Sequence, residues 1–343
     1  MARWLLSQPY QGPACRPAGE RLERSTVPVA TDPAATVEEV KTATIVPWDD
    51  DQIRLSSSVS VLQGAGNGAY PAGNSVLVEG SAEVALIDPS ITVVGRGGAP
   101  VAVDAVINSH GHEDHMPGNG LFAESRLHIH HDDLPAARSI EGLMDVYGLT
   151  GRTRADFTAQ VQEEFFYTPR DDAEGFGDGH VFDLGGVAVE AMHLPGHTRG
   201  HSGFRIGNVF FLSDIDLTGF GPYYGDAWSD LDQFDESLRL VREVEADWYV
   251  TFHHKGIIEG RETFVKMVDD FHAVIESRHE RMLAFLAEPH SLDEMVAHRF
   301  VYRPHVEHVF LESVEHRTAE LHVARMVDRG EAAEVEPGRY QRT

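Results

Sequence analysis

One loop constrains this chain more than any other part of it. From Ser109 to Gly118 it reads Ser-His-Gly-His-Glu-Asp-His-Met-Pro-Gly, with His110, His112, Asp114 and His115 in an H-x-H-x-D-H pattern. The loop leaves Val103-Asp-Ala-Val-Ile107, an apolar β-branched run that reads as a strand. Imidazole and carboxylate at this density suit Zn2+ or a comparable transition ion. Residues two apart on an extended backbone point the same way, so His110 and His112 can share one ion. Asp114 and His115 continue round the turn and can face a second.

Three further segments carry the same chemistry. Leu194-Pro-Gly-His-Thr-Arg-Gly-His-Ser-Gly203 places His197 after a strand and a Pro-Gly turn, with His201 at the start of the next strand. Leu212-Ser-Asp214 puts a carboxylate at the end of a buried apolar run, where burial is costly unless a cation or hydrogen bonds compensate. Thr251-Phe-His-His254 again closes a strand. All four segments follow strands, so they can meet along one edge of the sheets.

Composition narrows the classes. The chain has 343 residues, 42% of them hydrophobic, enough for a sizeable core. It carries 28 basic and 55 acidic residues, a formal net charge of −27, which argues against a sequence-independent grip on nucleic acid. Cys15 is the lone cysteine, so neither an intrachain disulfide nor a Cys-rich metal site is available. Pro9 and Pro13 interrupt the N-terminus before an apolar signal region develops, and no run approaches the ~18 apolar residues of a membrane span. The expectation is a cytoplasmic protein with no membrane partner.

Residues 1–45 read as an N-terminal arm, rich in Pro, Ala, Glu and Arg. Residues 46–260 read as the catalytic domain. It opens with short strands (59–62, 74–78, 84–87, 103–107, 127–129), passes through a helical insertion at 134–175, and resumes with strands at 187–192, 203–206, 209–212 and 248–252. A helix is expected over 231–244. Residues 261–343 read as a helical module: Phe264, Met267, Phe271 and Ile275 share one face, Ser291-Leu-Asp-Glu294 fits a capping box, and a last helix near 312–328 stops at Gly330 before a polar end.

With these residues in hand, the chain resembles the metallo-β-lactamase fold superfamily, especially its glyoxalase-II-like and lactonase-like branches. The H-x-H-x-D-H loop, the Pro-Gly-His-Thr-x-Gly-His segment, the strand-end Asp and the late strand-end His occur in the family's order over roughly residues 50–260. The resemblance implies an α/β (α+β) fold, an αββα sandwich with the metal site along one edge and an added C-terminal winged-helix-like module. It implies that His110, His112 and His197 hold one metal, and that Asp114, His115 and one of His253 or His254 hold a second. Asp214 would bridge the two, with Asp114 counted as catalytic as well as a ligand. Two zinc ions per chain are expected, with iron or manganese as alternatives. A hydroxide bridging the ions would then attack a small ester, thioester or lactone. The rival activities are a phosphodiesterase or ribonuclease on the same site, which would need access lined by Arg199 or Arg205, and a mononuclear iron dioxygenase acting on persulfides.

Weaker features have plainer readings. His201 is either a residue orienting the site or a strand-start histidine bonded to backbone. Tyr223 and Tyr224, within Gly219-Phe-Gly-Pro-Tyr-Tyr-Gly225, either face a substrate or cap a turn. Gly64-Ala-Gly-Asn-Gly68 reads as a mobile lip of the cleft. His128, His130 and His131 close a strand into a polar turn. The acidic C-terminal module is expected to pack on the domain or to mediate a homodimer rather than to bind nucleic acid.

Overall fold

A computed structural model describes residues 46–306 and 309–343, so the expected arm over 1–45 lies outside the described residues. The first sheet has seven strands in sequence order: β1 (Gln52–Arg54), β2 (Val59–Leu62), β3 (Ser75–Glu79), β4 (Val84–Ile87), β5 (Ala105–Ile107), β6 (Arg126–His130) and β7 (Glu174–Phe176). Neighbours are antiparallel up to β4 and parallel from β4 to β7. The second sheet runs β13-β12-β11-β10-β9-β8, built from β8 (Val181–Asp183), β9 (Ala188–His193), β10 (Ser202–Ile206), β11 (Val209–Ser213), β12 (Trp248–Thr251) and β13 (Ile257–Glu259). Its neighbours are antiparallel except β11 and β12.

Strand alternation builds the layers. Ala105 and Ile107 of β5 point inward against Phe211 and Val250 of the facing sheet, whereas Val106 points out. There it meets Ala136, Leu143 and Phe157 of the helices α1 (Leu134–Arg138), α2 (Ile140–Tyr147) and α3 (Gly151–Glu164). On β11, Val209 and Phe211 face the inter-sheet core, while Phe210 and Leu212 turn to the outer helices α4 (Leu231–Arg242) and α5 (Arg261–Phe285). Both sheets are therefore apolar on both faces, and two helical layers cover them: an αββα sandwich.

The C-terminal region begins inside α5. Phe264, Phe271 and Ile275 are buried against the second sheet with Met267 packed beside them, as the spacing predicts. The far end of α5 changes partner: Met282 and Leu286 pack with Met295 of α6 (Leu292–His298), Phe300, and Val323 and Met326 of α7 (Leu311–Asp328). The Ser291 side chain caps the Glu294 amide, and the Glu294 carboxylate returns to the Ser291 amide, completing the capping box. The expected polar end is instead a hairpin. Strands β15 (Ala332–Glu336) and β16 (Arg339–Arg342) pair with each other, and β16 pairs with β14 (His290–Ser291). Only Ala332 of β15 is buried, so no apolar alternation marks the hairpin in the sequence.

Candidate metal centre

The ligand-type residues sit where strands end. Strand β5 runs into the loop bearing His110 to His115, and β9 into Pro195–Gly200 with His197. Strand β11 ends one residue before Asp214, and β12 two residues before His253. The Ser202 amide donates to the Ser109 carbonyl at 3.0 Å, tying the two sheets together at this edge. Ser109 is held in turn by Asp88, whose carboxylate takes its amide (2.7 Å) and hydroxyl (2.6 Å), and its Oγ lies 2.7 Å from Ser213 Oγ. Asp88 and Ser213 both adopt left-handed backbone, φ 49° and 52°, a conformation non-glycine residues seldom take.

Two groups form around Asp214. His110, His112 and His197 gather on the side of its Oδ2, which lies 3.3 Å from His197 Nε2 and 3.9 Å from His110 Nε2. His115 and His253 face its Oδ1, at 3.0 and 3.8 Å from their Nε2 atoms. Asp114 completes the second group, its Oδ2 2.8 Å from His253 Nε2. His110 Nε2, His115 Nε2 and Asp214 Oδ1 are buried with no well-aligned hydrogen-bond partner. Buried polar atoms without partners are costly, and three of them converging here fit a cation's coordination sphere. The donor set, imidazole and carboxylate without thiolate, suits zinc and other borderline divalent ions.

Four of the five imidazoles have a carbonyl or carboxylate behind them. His115 Nδ1 lies 2.8 Å from Asp88 Oδ2, and His253 Nδ1 donates to the Gly68 carbonyl at 2.7 Å. His197 Nδ1 donates to the Tyr223 carbonyl at 2.9 Å, and His112 Nε2 faces Asp226 Oδ2 at 3.1 Å. The Asp88, Gly68 and Tyr223 oxygens fix tautomer and orientation of His115, His253 and His197, leaving the other nitrogen's lone pair for a metal, and Asp226 lies close behind His112. Asp133 holds the ligand loops together, accepting from the Gly111 and Gly200 amides and the Thr198 hydroxyl. Of these supporting groups, Asp88 shared the strand-end placement that marked the ligands, and Asp133 lay in a His-His-Asp-Asp run. Asp226 and the Tyr223 carbonyl carried no sequence signal.

Several expectations are corrected. His253 joins the second group; His254 is exposed at φ 61° and stands outside both groups. Tyr224 does not face a substrate, because it is buried with its hydroxyl on His322 Nε2 at 2.9 Å. Tyr223 is half-buried beside the His197 ring, 5.7 Å between centroids, and donates its hydroxyl to Asp226 at 3.1 Å, so its place by the cleft stands. Residues 64–68 are anchored at buried Gly64 and Gly68, whose carbonyl meets His253, while Ala65, Gly66 and Asn67 between them are exposed. His201 combines both of its readings: Nδ1 donates to the Leu194 carbonyl at 3.0 Å, and Nε2 accepts the Asp214 amide at 3.3 Å. His130, His131 and Asp132 form a third group at the end of β6, where His131 and Asp132 are exposed and His131 Nδ1 bonds the Phe176 carbonyl.

Charge is tightly managed in this cleft. Burial pushes the Asp214 carboxyl up, but in metal-free protein the neighbouring His115 and His253 outweigh it and hold the group well below the usual range. Glu113 is different. Burial first, then the Asp114 charge, push its carboxyl up to about 7, while the hydroxyls of Tyr147 and Tyr70 (3.1 Å) donate to it. Burial and the Glu113 charge in turn hold both tyrosines well above their ordinary value.

Residues 70–270, more than half of the chain, match the sequence profile of the metallo-beta-lactamase superfamily. The chain belongs to this superfamily. It shares its fold with solved structures of low identity. A metallo-beta-lactamase family protein of Thermus thermophilus aligns with TM-score 0.64 and 20% identity, covering 84% of this chain and 100% of that one. A beta-lactamase domain protein of Burkholderia ambifaria aligns with the same TM-score at 16% identity, covering 87% and 95%. Among sequences, an uncharacterized protein of Mycobacterium tuberculosis is 36% identical over 106 residues, 30% of this chain; the match spans only 43% of that relative's length. A hydroxyacylglutathione hydrolase of Acidiphilium cryptum is 27% identical over 195 residues, 56% of this chain and 74% of the relative. No helix among the described residues is long and apolar enough to cross a membrane.

Proposed function

We propose that this superfamily hydrolase is a dinuclear metalloenzyme, with zinc as its metal, that cleaves a small ester, thioester or lactone. The observation that carries the reading is the division of labour at Asp214: its two oxygens face two separate groups, His110/His112/His197 and Asp114/His115/His253. Divalent ions held by these residues would supply Lewis acidity toward a carbonyl oxygen and lower the pKa of a bound water. The chain's residues do the rest. Asp214, ionised and between the groups, offsets the repulsion of two cations. Asp88 and the Tyr223 and Gly68 carbonyls hold the imidazole rings in one tautomer and one orientation. No serine or cysteine nucleophile enters, and Cys15 lies outside every motif.

The name of the Acidiphilium relative favours an acylated thiol among the acyl substrates. The phosphodiester alternative gains little support. Arg205 donates to the Glu245 carbonyl at 2.8 Å, and Arg199 lies over the Trp228 ring at 4.7 Å. A panel of small esters, thioesters, lactones and one phosphodiester tests the reading. The expected result is turnover of an acyl substrate that a chelator abolishes and Zn2+ restores. Turnover of the phosphodiester alone would replace the substrate class, and acyl turnover indifferent to metal would remove the mechanism.

A further inference from the structure

The C-terminal module grips a loop that touches the ligand set, 219–230, between β11 and α4. On its inner side the loop touches two of the first group's histidines. The Tyr223 carbonyl accepts from His197 Nδ1 (2.9 Å), Ser229 Oγ donates to the His197 carbonyl (2.8 Å), and Asp226 faces His112 Nε2 (3.1 Å). On its outer side the same loop is gripped by α5 and α7. The Arg278 guanidinium donates to the Phe220 carbonyl (2.6 Å) and the Pro222 carbonyl, Arg317 donates to the Ser229 carbonyl (2.9 Å), and the Tyr224 hydroxyl meets His322. Two glycines allow the approach: a Cβ at Gly225 would collide with Val314 of α7, and one at Gly221 (φ +81°) with Val274 of α5.

The polar chain behind Tyr224 has one consistent direction. Glu331 accepts from His279 Nε2 at 2.7 Å, so His279 Nδ1 is left as an acceptor. His322 Nδ1 lies 3.3 Å from it and donates, which leaves His322 Nε2 to accept the Tyr224 hydroxyl. Burial above all holds His322 well below its ordinary pKa, so it stays neutral, as this pattern requires. Tyr224, His279 and His322 are all buried, and a hydrogen-bond series satisfied at every member is rigid.

We propose that the C-terminal module is a positioning element for the first metal group: through Tyr224–His322 and Arg317–Ser229 it fixes loop 219–230, and the loop sets the ring orientations of His197 and His112. The proposal rests on the metalloenzyme reading above. Tyr224 and Arg317 are positioning residues; neither touches a ligand atom. They make the first group depend on residues far downstream of the H-x-H-x-D-H loop, and leave the second group, aimed by Asp88 and Gly68, independent of the module.

Co2+ binding to metal-free protein tests this without any assay of turnover. In a His253→Ala background the first group is measured by itself, and in a His197→Ala background the second. Tyr224→Phe, which removes only a hydroxyl, is expected to weaken Co2+ binding about 10-fold in the first background, the lower end for loss of a group supporting a ligand, and to leave the second unchanged. Arg317→Gln should act in the same direction, and gives the answer if Tyr224→Phe fails to fold. Met295→Ala, in the module's core away from the loop, should lower Tm with no change in either affinity. Unchanged first-group affinity in both variants, or equal weakening in both backgrounds, overturns the proposal. Co2+ binding in neither background would instead sink the metalloenzyme reading, and this inference with it.

Discussion

Replacing Asp214 by asparagine keeps the side chain's size and removes one negative charge from between two groups of ligands. The second ion should then bind more weakly, and kcat should fall by roughly 100-fold or more while KM changes little, because the loss acts on transition-state charge rather than on substrate contacts. Metal content and kcat of folded Asp214→Asn decide this. Two tightly held ions with near-normal kcat would remove Asp214 from the site. His130 offers a test of electrostatics away from the ligands. Burial, then the neighbouring His193 and His131, push it down to about 4, against the weaker pull of Asp132 and Asp178. Its ordinary value is near 6.5, so between about pH 6.5 and 4 the unfolded chain binds a proton that the folded chain refuses. That part of the stability is fully present above pH 6.5 and is lost as the pH falls toward 4. His130→Gln lacks it, so unfolding titrations of metal-free protein should show a shallower decline for the variant over this range. Parallel curves would show that His130 titrates alike in both states.

At the scale of elements, α5 is fastened to the second sheet by Phe264, stacked on Tyr249 with ring centroids 3.6 Å apart. Phe264→Ala should cost about 3–5 kcal/mol, seen as a lower urea midpoint at an unchanged slope. A loss under about 1 kcal/mol would mean that this face relaxes easily or matters little. Strand and helix patterning made these elements legible. The apolar runs at 59–62, 84–87 and 209–212 and the Phe264–Ile275 face all carry periodicities that burial imposes. Elements without an apolar face escaped: β15 and β16 have almost nothing buried, and β1 is short and half-exposed. At the site, the ligands stood out because dense imidazole and carboxylate after a strand has few structural uses. Between His253 and His254 the sequence left a choice that backbone geometry makes, since the chain turns left-handed at His254 and carries that ring outward. The groups behind the ligands stayed hidden because many are backbone carbonyls or single acids on distant loops, such as Asp226, and only the folded arrangement brings them near an imidazole.

For the whole molecule, the candidate ligands come from four separated stretches of chain on two sheets, so metal binding would be linked to folding: an ion that binds the native cluster and not the unfolded chain must raise stability. Chelation should therefore lower Tm, and Zn2+ should restore it. Whether Asp214 stands between two ion sites is decided by the metal content of the 343-residue chain purified without added metal. Close to two transition-metal ions per chain are expected, falling toward one in Asp214→Asn. A single ion per wild-type chain that no added Zn2+ raises, iron alone, or none at all would contradict it.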